Sequence, residues 1–182
     1  MVKFQTVTMR RTTMQRNQNT PMTGQDRNAT AQMHRSAMAL IRRRRTMVLA
    51  TSKEDRPWSA PVYYVYFAPG FYFFSSPRSL HVEQMLDSDP TAASIHADGE
   101  RLDELEGIQM SGRIEHITKS LLKLSVTSRY LIKFPLAKPL LSGMRTAPRD
   151  LRSRVELYAF IPDTLYYMNH QMGFGRRTAI DL

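Results

Sequence analysis

Three β-rich runs, TMVLAT (46–51), WSAPVYYVYF (58–67) and GFYFFSS (70–76), follow one another with only SKEDRP and the pair Ala68-Pro69 between them. Connections this short cannot hold a crossover, so the three strands must run antiparallel. A chain that contains such a meander needs further strands to cover its apolar face, and the remaining sequence supplies them.

After Ser76 the hydrophobic period changes. Leu80, Val82, Met85 and Leu86 can share one helix face, and Pro90 closes the segment. TAASIHA (91–97) returns to strand, and ERLDELE is acidic and ambiguous. GIQMSGRIEHI alternates, with Ile108, Met110, Gly112 and Ile114 on one side and Gln109, Ser111, Arg113 and Glu115 on the other. Thr118 is placed to cap a helix running to about Lys133, with Leu121, Leu124, Ile132 and Tyr130 or Leu131 as its buried face. FPLAKPLLSG reads as loop or broken helix, and RVELYAFIPDTLYYMN as one or two strands kinked at Pro162. Upstream of the meander, Met33, Ala37, Leu40 and Ile41 recur at helical spacing from Asn28 or Thr30, and Arg42 to Arg45 sit where cations suit the helix dipole. The expected fold is mainly β with short helices: one antiparallel barrel of about six strands over residues 28–182, with no second core.

Charge is unevenly placed along the 182 residues. The net charge is +10, and residues 1–45 hold ten Lys/Arg against one acid, whereas residues 46–182 hold sixteen against fifteen. Residues 1–27, rich in Thr, Met, Gln, Asn and Arg without a sustained period, read as a flexible basic arm of the kind that orders against a partner subunit. The four arginines 42–45 could touch nucleic acid, but the body is nearly neutral, and a solvated helix end is the simpler reading. There is no cysteine, which excludes disulfides, thiolate metal sites and thiol nucleophiles, and fits a cytoplasmic setting. No apolar run is long enough to cross a membrane as a helix, and His34, His81, His96, His116 and His170 lack metal-ligand spacing. Neither a Gly-x-Ser-x-Gly elbow nor a Walker-type Gly-Lys-Ser/Thr occurs.

Two features point toward chemistry. Ser75-Ser76-Pro77-Arg78-Ser79 joins a strand to a helix, and hydroxyls with a guanidinium at a helix N-terminus can seat a phosphate. An ordinary N-cap with Pro77 in the first turn explains the same residues. The strand PVYYVYF carries Tyr63 and Phe67 on one face and Tyr64 and Tyr66 on the other, which asks for a second buried surface: a subunit interface, a flat ligand, or a tightly packed small barrel. Gly173-Phe174-Gly175-Arg176-Arg177 is glycine-rich and basic but too short to be diagnostic.

The order of these elements resembles the FMN-binding split barrels related to pyridoxamine 5′-phosphate oxidase. The resemblance runs over about residues 46–118: a strand, a turn ending in Arg-Pro, Ala-Pro-Val-Tyr-Tyr, a Gly-aromatic strand, a Ser-containing turn, a short helix closing at Asp-Pro, and a strand of apolar-x-apolar-x-Gly type. It implies a six-stranded Greek-key split β-barrel, usually a homodimer with flavins at the interface. It implies further that Ser75, Ser76, Ser79 and His81 lie around the FMN phosphate, with Arg78 as an added cation. The flavin ring would rest on the backbone of Ala60, Pro61, Val62 and Tyr63, and Gln109 would reach the cofactor of the partner subunit. Leu80-His81 stand where the family often has Arg-Lys, Tyr64 replaces an expected Lys, and no Arg-x-His occurs, so oxidation of pyridoxamine phosphate itself is not expected. No general acid is assigned; Tyr63 and Tyr64 are the nearest candidates.

Four readings follow. The first is an FMN flavoprotein and oxidoreductase acting on an unidentified small substrate. The second keeps the fold but exchanges FMN for haem, as in some split barrels the chain resembles, with His170 as axial ligand. The third is a non-enzymatic basic-armed dimer binding nucleic acid or an anionic surface. The fourth is a barrel that has lost its cofactor.

Overall fold

The computed structural model describes residues 24–87, 90–139, 141 and 155–182. Most of the predicted basic arm, and residues 140, 142 and 143 of FPLAKPLLSG, lie outside the described residues; the rest of that stretch opens with a 3₁₀ turn, Pro135–Ala137, as a broken helix would. Helix α1 (Gly24–Arg43) begins earlier than predicted and buries Ala37, Leu40 and Ile41 completely. It leads directly into β1 (Thr46–Lys53), followed by β2 (Arg56–Phe67) and β3 (Gly70–Ser75). The β1–β2 turn is two residues long, and Glu54 and Asp55 both take positive φ (51° and 59°), as a primed hairpin turn requires.

Helix α2 (Leu80–Asp87) then packs on β1 and β2, β4 (Thr91–Ala97) pairs with β1, and β5 (Glu106–His116) pairs with β4. Helix α3 (Ser120–Lys133), β6 (Glu156–Asn169) and the short β7 (Arg177–Ala179) complete the chain. The ambiguous ERLDELE contains one turn of 3₁₀ helix, Leu102–Glu104. All pairings are antiparallel, in the order β3-β2-β1-β4-β5-β6-β7, and β6 also pairs with β3. That extra pairing closes a six-stranded barrel, as expected.

β6 is one strand, not two. One of its edges follows β5 from Tyr158 to Asn169; the other pairs with β3 over Glu156–Phe160 and with β7 over Tyr166–Met168. Between these partners the register slips: Ser111 faces Thr164 while Gly112 faces Pro162, leaving Asp163 as the extra residue of a bulge. Pro162 has no N–H for the ladder, so a bulge suits it. A Cβ on Gly112 would run into the Ile161 carbonyl oxygen, so the approach of the two backbones here requires glycine.

The barrel interior holds Met47, Leu49, Val62, Tyr64, Phe71, Phe73, Ile95, Ile108, Met110, Tyr158 and Phe160, with Leu40 and Ile41 of α1 and Val82 and Met85 of α2 added to the same cluster. A second core also exists, contrary to expectation. Helix α3 lies over the outer face of β2, β3 and β6, where Val126 and Tyr130 pack with Val65, Tyr72, Leu157, Ala159 and Ile161. It buries Val126 and Tyr130, the latter as predicted, with Leu122 and, just past its end, Phe134 partly covered, whereas Leu121, Leu124 and Ile132, also predicted as buried, are 84%, 66% and 80% exposed. The cap differs too: Lys119 occupies the N-cap position and no side chain caps the helix, so Thr118 does not have the predicted role. On α2, Val82 and Met85 are buried as expected, but Leu80 and Leu86 are exposed, and Gln84 takes the buried place instead.

Candidate functional site

The inward parity of β3 runs through Phe71 and Phe73 to Ser75, so the strand ends by turning a hydroxyl, not an apolar group, toward the barrel end. Pro77 and Arg78 form the turn, and Ser79 becomes the N-cap of α2, its carbonyl accepting from the N–H groups of Val82 and Glu83 at 2.9 and 3.0 Å. The Ser79 hydroxyl donates to the Ser76 carbonyl at 2.7 Å, and Ser76 Oγ accepts from the Arg78 N–H at 3.2 Å. His81 Nε2 lies 2.7 Å from Ser75 Oγ and 3.4 Å from Ser79 Oγ, and the two hydroxyl oxygens are 3.3 Å apart. Burial holds the His81 pKa below its ordinary value, so at neutral pH the ring is uncharged.

Next to this cluster the sheet opens. β2 and β3 pair only from Tyr64↔Phe73 to Phe67↔Gly70, while residues 56–63 pair with β1 on their other edge. The backbone of Ala60, Pro61, Val62 and Tyr63 therefore has no strand partner on the side toward Ser75, and both groups begin within two residues of the last shared rung. Ala60 and Val62 point inward; Pro61 and Tyr63 point outward. At the far end α2 bridges the opening, with Gln84 accepting from the buried Thr51 hydroxyl at 2.6 Å and donating to the Arg56 carbonyl at 3.1 Å.

This donor set fits a phosphate. Two hydroxyls and an imidazole converge within 3.4 Å, on a helix whose first N–H groups have no intrahelical acceptor. Arg78, exposed on the turn, is the nearby cation, and Leu80, exposed at 44%, supplies none. Ser75, Ser76, Ser79 and His81 are thus brought together, with the free edge of Ala60–Tyr63 beside them. Gln109 is not part of this group. It is exposed on β5 in an outward row that runs Pro61, Val48, Ser94, Gln109, three strand spacings or roughly 14 Å from β2.

The aromatics on both faces of β2 have their explanation within one chain. The hydroxyl of inward Tyr64 donates to the Ile41 carbonyl at 2.6 Å, and its pKa is raised by burial, which removes it as a general acid. Outward, Phe67 lies under Arg129 of α3 at 4.5 Å, and Tyr63 meets Phe134 edge-on at 5.3 Å while staying 57% exposed. His170 sits in a 3₁₀ turn after β6, its Nδ1–H donating to the Leu102 carbonyl at 2.9 Å and its ring against Phe174. Among the described residues no three His, Asp or Glu side chains stand close enough to hold a metal ion, and no helix is long and apolar enough to cross a membrane.

One grouping has no counterpart in the sequence reading, where Arg42 to Arg45 stood as a solvated helix end. Arg43, Arg44 and Arg45 line a cavity of about 300 Å³ with Thr46, Val48, His96 and Asp98. Only β1–β4 pairing brings His96 to the arginines, so no local signal marks it.

The family described as pyridoxamine 5′-phosphate oxidase matches residues 33–155. A UPF0306 protein of Klebsiella pneumoniae is 23% identical over 128 residues, covering 69% of this chain and 78% of that one. Among solved structures, a haem-binding protein from Mycobacterium smegmatis superposes with a TM-score of 0.61 at 17% identity, over 83% of this chain but only 57% of its own. HutZ, a haem storage protein from Vibrio cholerae, gives 0.61 at 16% identity, covering 73% of this chain and 92% of its own. An FAD-binding protein from Mesorhizobium loti gives 0.56 at 16% identity, covering 71% and 89%. At these identities the likeness is one of fold.

Proposed function

The chain belongs to the pyridoxamine 5′-phosphate oxidase family, and from that premise we propose that it is an FMN-binding flavoprotein, an oxidoreductase that works on a small molecule at the interface of a homodimer. The observation that carries the reading is the placement of the Ser75–Ser79–His81 cluster beside the unpaired edge of Ala60–Tyr63. The hydroxyls, His81 and Arg78 would hold the phosphate, and the free backbone edge would meet the polar rim of the ring. Bound FMN would supply the electron-transfer chemistry. The protein's part is to bind and orient, and Tyr63 is the side chain left exposed at that surface. Tyr64, where the family expects a lysine, is spent inside the core, in keeping with a substrate other than pyridoxamine phosphate.

The test is a visible spectrum of the purified protein followed by an FMN titration of wild type and two double variants, Ser75→Ala/Ser79→Ala and Arg78→Ala/His81→Ala. Hydrogen bonds to a charged group contribute about 1.5–3 kcal/mol each, so each double variant should weaken binding at least tenfold. Unchanged affinity in both would remove the phosphate seat.

A haem reading has one observation of its own. Because a carbonyl can only accept, the Leu102 oxygen fixes the proton of a neutral His170 on Nδ1 and leaves the Nε2 lone pair available, as an axial ligand requires. Added haemin would then give a Soret band that shifts in His170→Ala; a band unmoved by that change would set this reading aside.

A further inference from the structure

The cavity between the end of α1 and strands β1 and β4 carries more positive charge than the protein neutralises. Arg43 Nη2 is paired with Glu106 at 2.9 Å, and His96 Nε2 lies 3.5 Å from Asp98. Arg44 and Arg45 have no carboxylate partner among the described residues, and Arg44 Nε is buried without any acceptor. A buried donor left unpaired is destabilising, more so when it belongs to a charged group. Lys133, outside the cavity lining, is a further cation nearby: its Nζ donates to the Arg44 carbonyl at 2.6 Å and lies 4.3 Å above the Tyr64 ring. Burial first and the Arg45 charge second bring its pKa down to about 8.

We propose that this cavity binds the oxyanion end, phosphate or carboxylate, of the small-molecule substrate. An oxygen there is the acceptor that Arg44 lacks, and guanidinium groups suit the bidentate geometry of either anion. A volume of about 300 Å³ lies at the lower end of the range for small-molecule pockets. Its position gives the role. Thr46 and Val48, on the cavity wall, are directly opposite Tyr63 and Pro61 on β2, which places them about 5 Å away across the ladder. A molecule anchored by its anionic end would extend across the outward side of β2, over Pro61 and Tyr63, toward the edge assigned to the flavin ring. The substrate role rests on the flavin reading; anion binding itself does not.

The experiment follows the imidazole NMR signals of flavin-free protein during titration with inorganic phosphate and, separately, succinate, at ionic strength held constant with sodium chloride. His96 reports the cavity and His81 the phosphate seat. The expected result is a saturable His96 shift, with affinity reduced at least tenfold in Arg44→Gln/Arg45→Gln and also reduced in Arg45→Gln alone, a change at an exposed side chain that leaves folding intact. The anion that saturates at lower concentration identifies the source. A His96 signal that follows neither anion, or follows them equally in the variants, overturns the proposal, and does so even if FMN binds. If His96 responds as expected but FMN does not bind, the flavin reading and the substrate role fall together, while the anion site stands.

Discussion

Lys133 is a side chain whose charge the fold disfavours. Its ammonium is half-buried between the Arg44 carbonyl and two aromatic rings, near a second cation, and its pKa falls to about 8 from 10.5. Between those values the unfolded chain binds a proton that the folded chain does not, so stability rises with pH across that window. Above pH 10 the sign reverses, because burial raises the pKa of Tyr64, Tyr130 and Tyr158. Thermal melts from pH 7.5 to 9.5 should show a Tm that climbs in wild type relative to Lys133→Met; parallel profiles would contradict the assignment. At this scale the sequence was informative where contacts are local. Ser75, Ser79 and His81 stand four and two residues apart, and a strand-to-helix junction brings them together unaided. The Arg44–His96 cavity depends on pairing across more than forty residues, which no local pattern records.

At the scale of elements, the strands were legible because alternation and short turns leave little freedom, and every predicted strand is present. The orientation of α3 was not. Leu121, Leu122, Leu124, Val126, Leu131 and Ile132 place apolar groups all around it, and only the aromatic outer surface of β2 and β3 decides which stripe is covered. Phe74 meets the Tyr130 ring edge-on at 5.0 Å, and Tyr130 in turn packs on Phe134. Tyr130→Ala should therefore destabilise by about 3 kcal/mol or more, and Val126→Ala by about 1–2 kcal/mol. Leu121→Ala and Ile132→Ala should stay within about 0.5 kcal/mol of wild type. Urea denaturation of the four variants checks the ranking, and equal losses on both stripes would refute it.

For the whole molecule, the two cores account for both faces of β2 and β3 but leave the outer face of β1 and β4 with small residues. Ala50, Ala92 and Ser111 form one cross-strand row, and Val48, Ser94 and Gln109 the next. A face this short of bulky side chains around Ala50, Ala92 and Ser111 would accept a second sheet closely, as the proposed homodimer requires. Light scattering should give twice the chain mass of 21.0 kDa, and Ala92→Arg, at an exposed position, should halve it. A wild-type monomer that retains FMN would argue against an interface site.

The closing pair β3–β6 has a consequence in time. Phe71 meets Phe160 across the ladder, yet the whole of α2, β4, β5 and α3 lies between them in sequence. The β1–β2–β3 meander can form from near neighbours, whereas closure must overcome the entropy of a long loop. Until β6 docks, Phe71 and Phe73 have water where Phe160 and Tyr158 will stand. During synthesis the nascent chain must carry that aromatic surface uncovered, from the completion of the meander until residues 156–160 have left the ribosome.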